Sequence, residues 1–509
     1  MTSTNPPTFT RHGDTWSRPI WGKEPFFYDF AHYHRGIANF LVHVVVSVPT
    51  TSPLANEGAF WERLSVAWAY STCASPVLLA EADDTASPIT INYYKPASRQ
   101  ETIALAEAKL NKLPSTNLET FLEEILTNKS HKLHTAQLWW SRVPASGHNQ
   151  VSYAIALHSS HIFLDGRGAA DLLHIVLNNL TMDPERDAEL DWTPNPEMLP
   201  PPLVCVKDPG VKVAKETVEE CVTKFKADII GKMNYIIPAK TLTPSSLGTT
   251  RRLRFTFSPA ESTLLQRSYK LLRVSNNTAL QAAVWMAAID KCPPKDLEEE
   301  DGKYHLFSLT NVDCRHLISE EWRKRYQGLA ICDSTLSCPL KVVAQPDRKK
   351  ALLESMKKIT DDMSFWMTRQ AWIDFTPITA QAQMFGLSKL RGAGLGVKNG
   401  LVTNLGVVDK IVSPRYGDKA DSEYAFEISD FGCSGRISEP QYFLRAWSFD
   451  SQFHLQVNYN DHYYDRETIE AFLESVVGIL REMPGLVEPA PVGLEVDEKI
   501  ASVTCASVV

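Results

Sequence analysis

The chain has 509 residues, of which 44% are hydrophobic and 22% are charged, and its formal net charge is −8. This is the composition of a globular protein, and the length exceeds what one compact core usually holds, so we predict two domains. Because acidic residues outnumber basic ones and no basic stripe is visible, nucleic acid is not an expected partner. The sequence contains no run of 18 apolar residues, so no membrane-spanning helix is expected.

Cysteine usage and the first residues bear on the compartment of the protein. The nine cysteines are scattered, and no two of them form a CxxC pair. Residues 1–13 lack the basic and apolar regions of a secretory signal. Together these features predict a reduced, cytoplasmic protein without a disulfide framework or structural zinc.

Hydrophobic spacing in the first 190 residues alternates between helical and strand periods. Phe60, Leu64, Ala67 and Trp68 recur at helical spacing, which predicts a helix over 60–70. Alternation and turn residues predict strands over 76–80 and 89–94 and a hairpin of strands 137–143 and 150–157. Apolar residues from Ala169 onward predict a further helix over 168–180.

The rest of the chain begins with a proline-rich segment, 191–202, that cannot form a regular element because proline removes backbone donors. Beyond it, Ser258, Pro259 and Glu261 have the spacing of a capped helix start. The acidic run 296–301 is expected to be a solvated loop. Periodicity predicts strands over 252–257 and 453–459 and helices over 277–290 and 467–481.

The predicted elements mix strands and helices in both parts of the chain, and several strands alternate polar and apolar residues. This favours an α/β fold in which each half is a mixed sheet flanked by helices. We expect an N-terminal half at 1–190, a crossover segment at 191–249 and a C-terminal half at 250–509.

The most informative segment is His161-Ile-Phe-Leu-Asp165-Gly166, which lies between the second strand of the hairpin and the helix that follows. A tight turn at this point can present a side chain to a cleft, and histidine is the side chain best suited to move a proton near neutral pH. Gly166 lacks a Cβ, so a substrate can pass close to the backbone. The pattern favours His161 as a general base in acyl transfer.

Two other interpretations of this segment remain open. His161 can be a hydrogen-bonded core histidine next to an ordinary Asp-Gly turn. Alternatively, His158, His161 and Asp165 can bind a divalent metal, with His174 as a further ligand, although strand alternation would point the first two histidines to opposite faces. We expect no metal.

The HxxxDG pattern of His161, Asp165 and Gly166 resembles the signature of CoA-dependent acyltransferases, the superfamily of chloramphenicol acetyltransferase, the plant BAHD enzymes and condensation domains. Three further segments match in order along the chain. They are Val312-Asp-Cys-Arg315, Thr403-Asn-Leu-Gly406 and Asp430-Phe-Gly432. The resemblance implies the two-domain chloramphenicol-acetyltransferase-like fold and a ternary complex of acetyl-CoA, an acceptor alcohol and the enzyme.

The resemblance also implies roles for individual residues. His161 would be the base, Asp165 would pair with Arg315 and fix the turn, and Thr403 would stabilise the oxyanion. Asp430 and Gly432 would be structural. Lys389 and Arg391, beside the glycine-rich segment 392–396, are candidates for the phosphates of CoA, although a glycine-rich phosphate loop should precede a helix.

Departures from the family pattern narrow the assignment. The residue before His161 is Ser160, whereas condensation domains carry two adjacent histidines, and Asp430-Phe-Gly432 lacks the Trp of the BAHD motif. In its length and in the Trp21-Gly-Lys-Glu24 segment, the chain resembles fungal enzymes that acetylate the C-15 hydroxyl of trichothecenes, which are hydrophobic sesquiterpenoids. A catalytically silent scaffold, a free-standing amide-forming enzyme and a metal hydrolase are the alternatives, and the default assembly is a monomer.

Overall fold

The computed structural model describes residues 6–130, 133–145, 147–183, 190–245, 247–417 and 423–487. The strands are β1 Thr10–His12, β2 Thr15–Pro19, β3 Asn39–Pro49, β4 Glu81–Asp83, β5 Thr90–Tyr94, β6 Leu110–Lys112, β7 Gln137–Val143, β8 Gln150–Ser160, β9 Met233–Asn234, β10 Thr250–Thr256, β11 Tyr304–Asp313, β12 Ile331–Pro339, β13 Gly400–Val407, β14 Arg415–Tyr416, β15 Phe426–Gly435, β16 Tyr442–Phe449 and β17 Gln452–Asn460. The α-helices are α1 Glu24–Tyr33, α2 Glu57–Ala74, α3 Arg99–Glu107, α4 Leu118–Glu124, α5 Gly166–Leu180, α6 Lys215–Ile229, α7 Pro259–Leu272, α8 Asn276–Lys291, α9 Leu297–Asp301, α10 Glu320–Arg323, α11 Leu340–Val343, α12 Arg348–Arg369, α13 Trp372–Gly392 and α14 Arg466–Glu482.

The chain divides into two compact units, each assembled from three separate stretches. The first unit contains Met1–Gly210, Arg315–Ala330 and Val407–Arg436. The second contains Val211–Cys314, Ile331–Gly406 and Ile437–Val509. The three consecutive segments expected from the sequence, 1–190, 191–249 and 250–509, stay a prediction.

The first unit is built on a six-stranded sheet in the order β14-β15-β3-β8-β7-β6. Its neighbouring strands are antiparallel except β6, which runs parallel to β7. The two central strands, β3 and β8, are almost entirely buried. Leu41 and Val45 on one face pack with Phe121 and Leu122 of α4, so the centre of the sheet is fixed from that side.

Helices α2 and α5 pack against each other within this unit. The apolar stripe of α5, including Leu173, Val176 and Leu180, is completely buried. The hairpin of β7 and β8 and both helices predicted at 60–70 and 168–180 are confirmed, each helix being longer than expected. Because β8 leads into α5 through one tight turn, packing at both ends fixes residues 161–165.

The second unit contains a four-stranded sheet, β10-β17-β16-β13, and a three-stranded sheet, β12-β11-β9. Helix α8 packs against α12 and α14, and its alanines allow close approach because they are small. The helix start predicted at Ser258 is confirmed, since the Ser258 and Glu261 side chains form a reciprocal capping box. Both units therefore have the predicted class, mixed sheets flanked by helices.

Two local predictions are wrong for identifiable reasons. Residues 76–80 do not form a strand: Pro76 opens a 3₁₀ turn over Pro76–Leu78 instead. The acidic run is not a loop, because the Asp296 side chain accepts hydrogen bonds from the amides of Glu298 and Glu299 and caps α9.

Among the helices in the ranges given above, none has the length and apolar composition that crossing a bilayer requires.

Candidate active site around His161

The turn that carries His161 begins where the central strand β8 ends. The His161 amide donates a hydrogen bond to the Ala38 carbonyl at 3.1 Å, next to the last pair of the β3–β8 ladder, Asn39 and Ser160. The amide of Phe163 then donates back to the Ser160 carbonyl at 3.0 Å. The backbone of the turn is thus fixed by hydrogen bonds on both sides of the histidine.

The His161 imidazole is held by two aromatic rings and one carbonyl. It stacks on Phe40 with ring centroids 4.3 Å apart, and Phe27 lies 4.8 Å away. Its Nδ1 lies 3.0 Å from the Leu164 carbonyl oxygen. A carbonyl only accepts, so Nδ1 carries the proton and a neutral ring has its lone pair on Nε2.

Asp165 is completely buried, and its carboxylate is the N-cap of α5. Oδ1 accepts from the Gly168 amide at 2.8 Å, and Oδ2 accepts from the Ala330 amide at 2.8 Å. Arg315 donates to both oxygens in a bidentate pair, each bond 3.0 Å long. With four donors on two oxygens, the carboxylate is committed to holding the turn.

Arg315 reaches Asp165 from a short 3₁₀ helix, Cys314–Leu317, that follows β11 rather than from the strand itself. The guanidinium also donates to the carbonyls of Tyr326 and Gly328, at 3.0 and 3.1 Å. One arginine therefore ties the segment around 326–330 to the start of α5.

Gly168 is a position of the candidate site that the sequence interpretation missed. A Cβ at this residue would overlap the backbone carbonyl of Gln327 and would lie 3.2 Å from the Arg315 guanidinium. The segment carrying Gln327 can approach α5 only because residue 168 has no side chain. The sequence signal was the spacing Gly166-Arg-Gly168. Gly166 itself is the first residue of α5 and is half-buried.

His158 and His174 make other contacts than the metal ligation considered for them from the sequence. His158 is completely buried on β8, its Nε2 lies 2.8 Å from the Ser130 hydroxyl, and burial lowers its pKa to about 3. His174, on α5, is 2.8 Å from the Tyr416 hydroxyl. Within the described ranges, no three His, Cys, Asp or Glu side chains are grouped as metal ligands would be.

The Asp430-Phe-Gly432 segment lies in β15, paired with β3. Asp430 Oδ2 is 3.5 Å from His43 Nε2, and the His43 side chain is completely buried. A Cβ at Gly432 would collide with the His43 ring. The motif therefore makes room for a buried histidine in the sheet.

The remaining candidates, Thr403, Lys389 and Arg391, belong to the second unit. Thr403 lies on β13 and lines a pocket together with residues of α8 and β11. Lys389 and Arg391 are exposed in the last turn of α13, and the glycine-rich segment follows that helix instead of preceding one. A helix C-terminus does not attract phosphate, so only the two side-chain charges support CoA binding there.

Comparisons with known proteins support the fold. No protein-family model matches the chain. A curated relative is trichothecene 15-O-acetyltransferase TRI3 of Fusarium sporotrichioides, 21% identical over 344 residues, which are 64% of this chain and 64% of that protein. The match thus spans slightly less than two thirds of the relative.

The solved structure of the same Fusarium sporotrichioides TRI3 covers 95% of this chain and 98% of its own, with a TM-score of 0.78 at 18% identity. The chain has the CoA-dependent acyltransferase fold. This fold is shared with the epimerization domain from the third module of tyrocidine synthetase B, at a TM-score of 0.57, 12% identity and coverage of 92% and 98%. The fold is also shared with polyketide synthase associated protein 5 from Mycobacterium tuberculosis, at a TM-score of 0.56, 13% identity and coverage of 92% of this chain and 98% of that one.

Proposed function

We propose that the chain is an acetyl-CoA-dependent O-acetyltransferase that esterifies a hydroxyl group of a hydrophobic secondary metabolite, a trichothecene-type sesquiterpenoid alcohol at C-15. The relatedness to TRI3 supports the reaction class and suggests the acceptor. The observation that carries the proposal is the hydrogen bond between His161 Nδ1 and the Leu164 carbonyl. It leaves the basic lone pair of a neutral imidazole on Nε2.

His161 acts as the general base in this mechanism. Its Nε2 takes the proton of the acceptor hydroxyl while the oxygen attacks the thioester carbonyl carbon of acetyl-CoA. The tetrahedral intermediate then expels the CoA thiolate, which receives the proton from the imidazolium, so atoms and charge balance. A positioned base of this kind typically contributes about 10²–10⁴-fold to the rate.

Asp165 is a positioning residue. All four of its hydrogen bonds go to Arg315 and to backbone amides, and none goes to the imidazole. Its ion pair fixes the N-terminus of α5 and thereby the turn on which His161 sits.

The proposed roles of three further residues, Thr403, Lys389 and Arg391, are supported by the family resemblance and by side-chain type. Thr403 is the proposed donor to the oxyanion, a contribution worth about 3–4 kcal/mol where single donors have been removed from other enzymes. Lys389 and Arg391 are the proposed partners of the CoA phosphates. The cytoplasmic location and the monomeric state remain predictions from the sequence.

The test is acetyl transfer by His161→Ala and His161→Asn, measured as thiol release from acetyl-CoA in the presence of a trichothecene with a free C-15 hydroxyl. We expect kcat to fall at least 100-fold with an unchanged melting temperature. His174→Gln, a change on the following helix, is the matched control and should keep turnover. Thiol release that does not depend on the alcohol, or near-normal kcat in both His161 variants, would contradict the proposal.

A further inference from the structure

A pocket inside the second unit is lined by helices α8 and α12 and by strands β11, β12 and β13. Its walls include Gln281, Thr310, Thr403 and Asn404 on the polar side and Leu336 and Val402 on the apolar side. Gln281 interrupts an otherwise apolar stretch of α8 that belongs to the main hydrophobic core of this unit.

Gln281 and Thr310, which line this pocket, are buried polar residues. Gln281 is 3% exposed and Thr310 is 8% exposed. In the part of the chain that the structure describes, Gln281 Nε2 and Thr310 Oγ1 have no hydrogen-bond partner. By contrast, the hydroxyl of Thr278, also in the wall, bonds to Ser275 at the start of α8.

Buried polar groups without partners are costly, and folded proteins rarely keep them without a use. An amide N–H and a hydroxyl can both donate, so together they suit an oxygen that accepts. Among the described residues that line the pocket none carries a charge. A phosphate or carboxylate would lose its hydration there without an ionic partner, which excludes the charged parts of CoA.

The pocket is partly open and its space is small, about 20 Å³, which is room for one group the size of a hydroxyl or a carbonyl oxygen. We propose that Gln281 and Thr310 form a binding site for a single uncharged, hydrogen-bond-accepting oxygen of a substrate. Building on the proposed function, this oxygen belongs either to the oxygenated acceptor alcohol or to the amide-containing pantetheine part of acetyl-CoA. The shared chemistry is a neutral acceptor oxygen beside apolar atoms.

The experiment uses Gln281→Met and Thr310→Val, which keep side-chain volume and remove the donors. Titration calorimetry measures the Kd of each variant for acetyl-CoA and, separately, for the trichothecene alcohol. We expect the Kd of one of these two probes to rise about three- to tenfold, the range for loss of one neutral hydrogen bond. The probe that weakens identifies the source of the oxygen.

Melting temperatures without ligand separate binding from a structural role. Removing a buried group that has no partner should leave the melting temperature unchanged or raise it, because the unfolded state hydrates that group and the folded state does not. A melting temperature that falls in both variants would mean that the two groups hold the fold together, and it would overturn the proposal.

Ser308 provides a matched control on the same strand. Its buried hydroxyl also has no hydrogen-bond partner among the described residues, and it points to the same face of β11 as Thr310 but does not line the pocket. Ser308→Ala should therefore leave both Kd values unchanged. A weakening equal to that of Thr310→Val would show that general disturbance of β11 is responsible and would overturn the site.

The outcomes also distinguish this site from the proposed function. If the wild type binds both probes and the Gln281 and Thr310 variants bind them equally well, only the pocket assignment fails, and an ordered water is the simpler occupant. If the wild type binds neither probe, both proposals fall together. If the variants weaken binding while His161→Ala keeps full turnover, the pocket stands and the base assignment falls.

Discussion

Two aspartates in motif-like surroundings, Asp165 and Asp430, lie in the first unit and differ in how they are held. Asp165 is completely buried, forms a bidentate pair with Arg315 and accepts two backbone amides. The Asp430 side chain is 19% exposed, and its contact with His43 is 3.5 Å long. Asp165 is followed directly by Gly166, and Asp430 precedes Gly432 by two residues. The oxygens of Asp165 accept four hydrogen bonds, whereas the Asp430 carboxylate is partly open to solvent.

The difference shows that the contribution of such an aspartate to stability depends on how far its carboxylate is removed from water, and not on the motif itself. A buried carboxylate that loses its charge deprives the buried Arg315 guanidinium of its bidentate ionic partner, which costs far more than the loss of a surface contact. A partly exposed carboxylate has water as an alternative partner. We therefore expect a large effect at Asp165 and a small one at Asp430.

The largest effect should come from Asp165→Asn. The amide cannot serve both Arg315 and the backbone donors, so we expect the free energy of unfolding to fall by about 3–5 kcal/mol. Urea unfolding monitored by circular dichroism measures this change, and kcat should fall with it because the His161 turn loses its anchor.

Asp171→Asn is the matched control, on the same helix. Asp171 pairs with Arg167 one turn away, and both side chains are about a third exposed. Such a pair contributes less than about 1 kcal/mol. Equal losses of the free energy of unfolding in Asp165→Asn and Asp171→Asn would contradict the expected difference between a buried and a partly exposed carboxylate. A change in Asp165→Asn that is confined to the KM for acetyl-CoA would contradict the anchoring role of Asp165.

The sequence predicted this site unevenly. The turn and α5 could be found because apolar periodicity and the HxxxDG spacing are local signals. Arg315 was predicted from the family resemblance. It lies 150 residues from Asp165 along the chain, and no local pattern in the sequence indicates that the two side chains meet. The amide of Ala330 and the carbonyl of Gln327 could not be predicted, because a backbone group has no signature in the sequence and its position depends on tertiary packing.

Other errors in the fold follow the same logic. The strand predicted at 76–80 relied on apolar residues alone, whereas Pro76 at the first position favours a helical turn. The acidic run at 296–301 was judged by its charge, although Asp296 is a good N-cap and acidic residues stabilise the first turn of a helix. In each case one backbone requirement outweighed the average character of the segment.

An intermediate effect is expected for Gly168→Ala, which tests whether close approach of Gln327 is as necessary as the ion pair. The added methyl must displace a backbone carbonyl, and overpacking of this kind costs about 1–3 kcal/mol. The cost should exceed the gain of up to about 1 kcal/mol that alanine brings to a helix interior. Thermal unfolding of the variant measures the net loss.

Gly478→Ala is the control with the opposite sign. Gly478 lies inside α14, and a Cβ there meets no atom within 4 Å. Alanine should stabilise the protein by about 0.5–1 kcal/mol at this position. If Gly168→Ala is as stabilising as Gly478→Ala, the segment around Gln327 adapts freely and Arg315 alone holds it.

The smallest effect belongs to Asp430→Asn, which keeps an acceptor oxygen toward His43 and removes the charge of a partly exposed carboxylate. We expect the free energy of unfolding to change by less than about 1 kcal/mol. Gly432→Ala, two residues along the same strand, should cost about 1–3 kcal/mol because its methyl collides with the completely buried His43 ring. In this motif, therefore, substituting the glycine should cost more stability than substituting the aspartate, whereas an interpretation based on charge predicts the reverse. A loss at Asp430→Asn as large as that at Asp165→Asn would mean that the pair with His43 is effectively desolvated, and the contrast between the two aspartates would disappear.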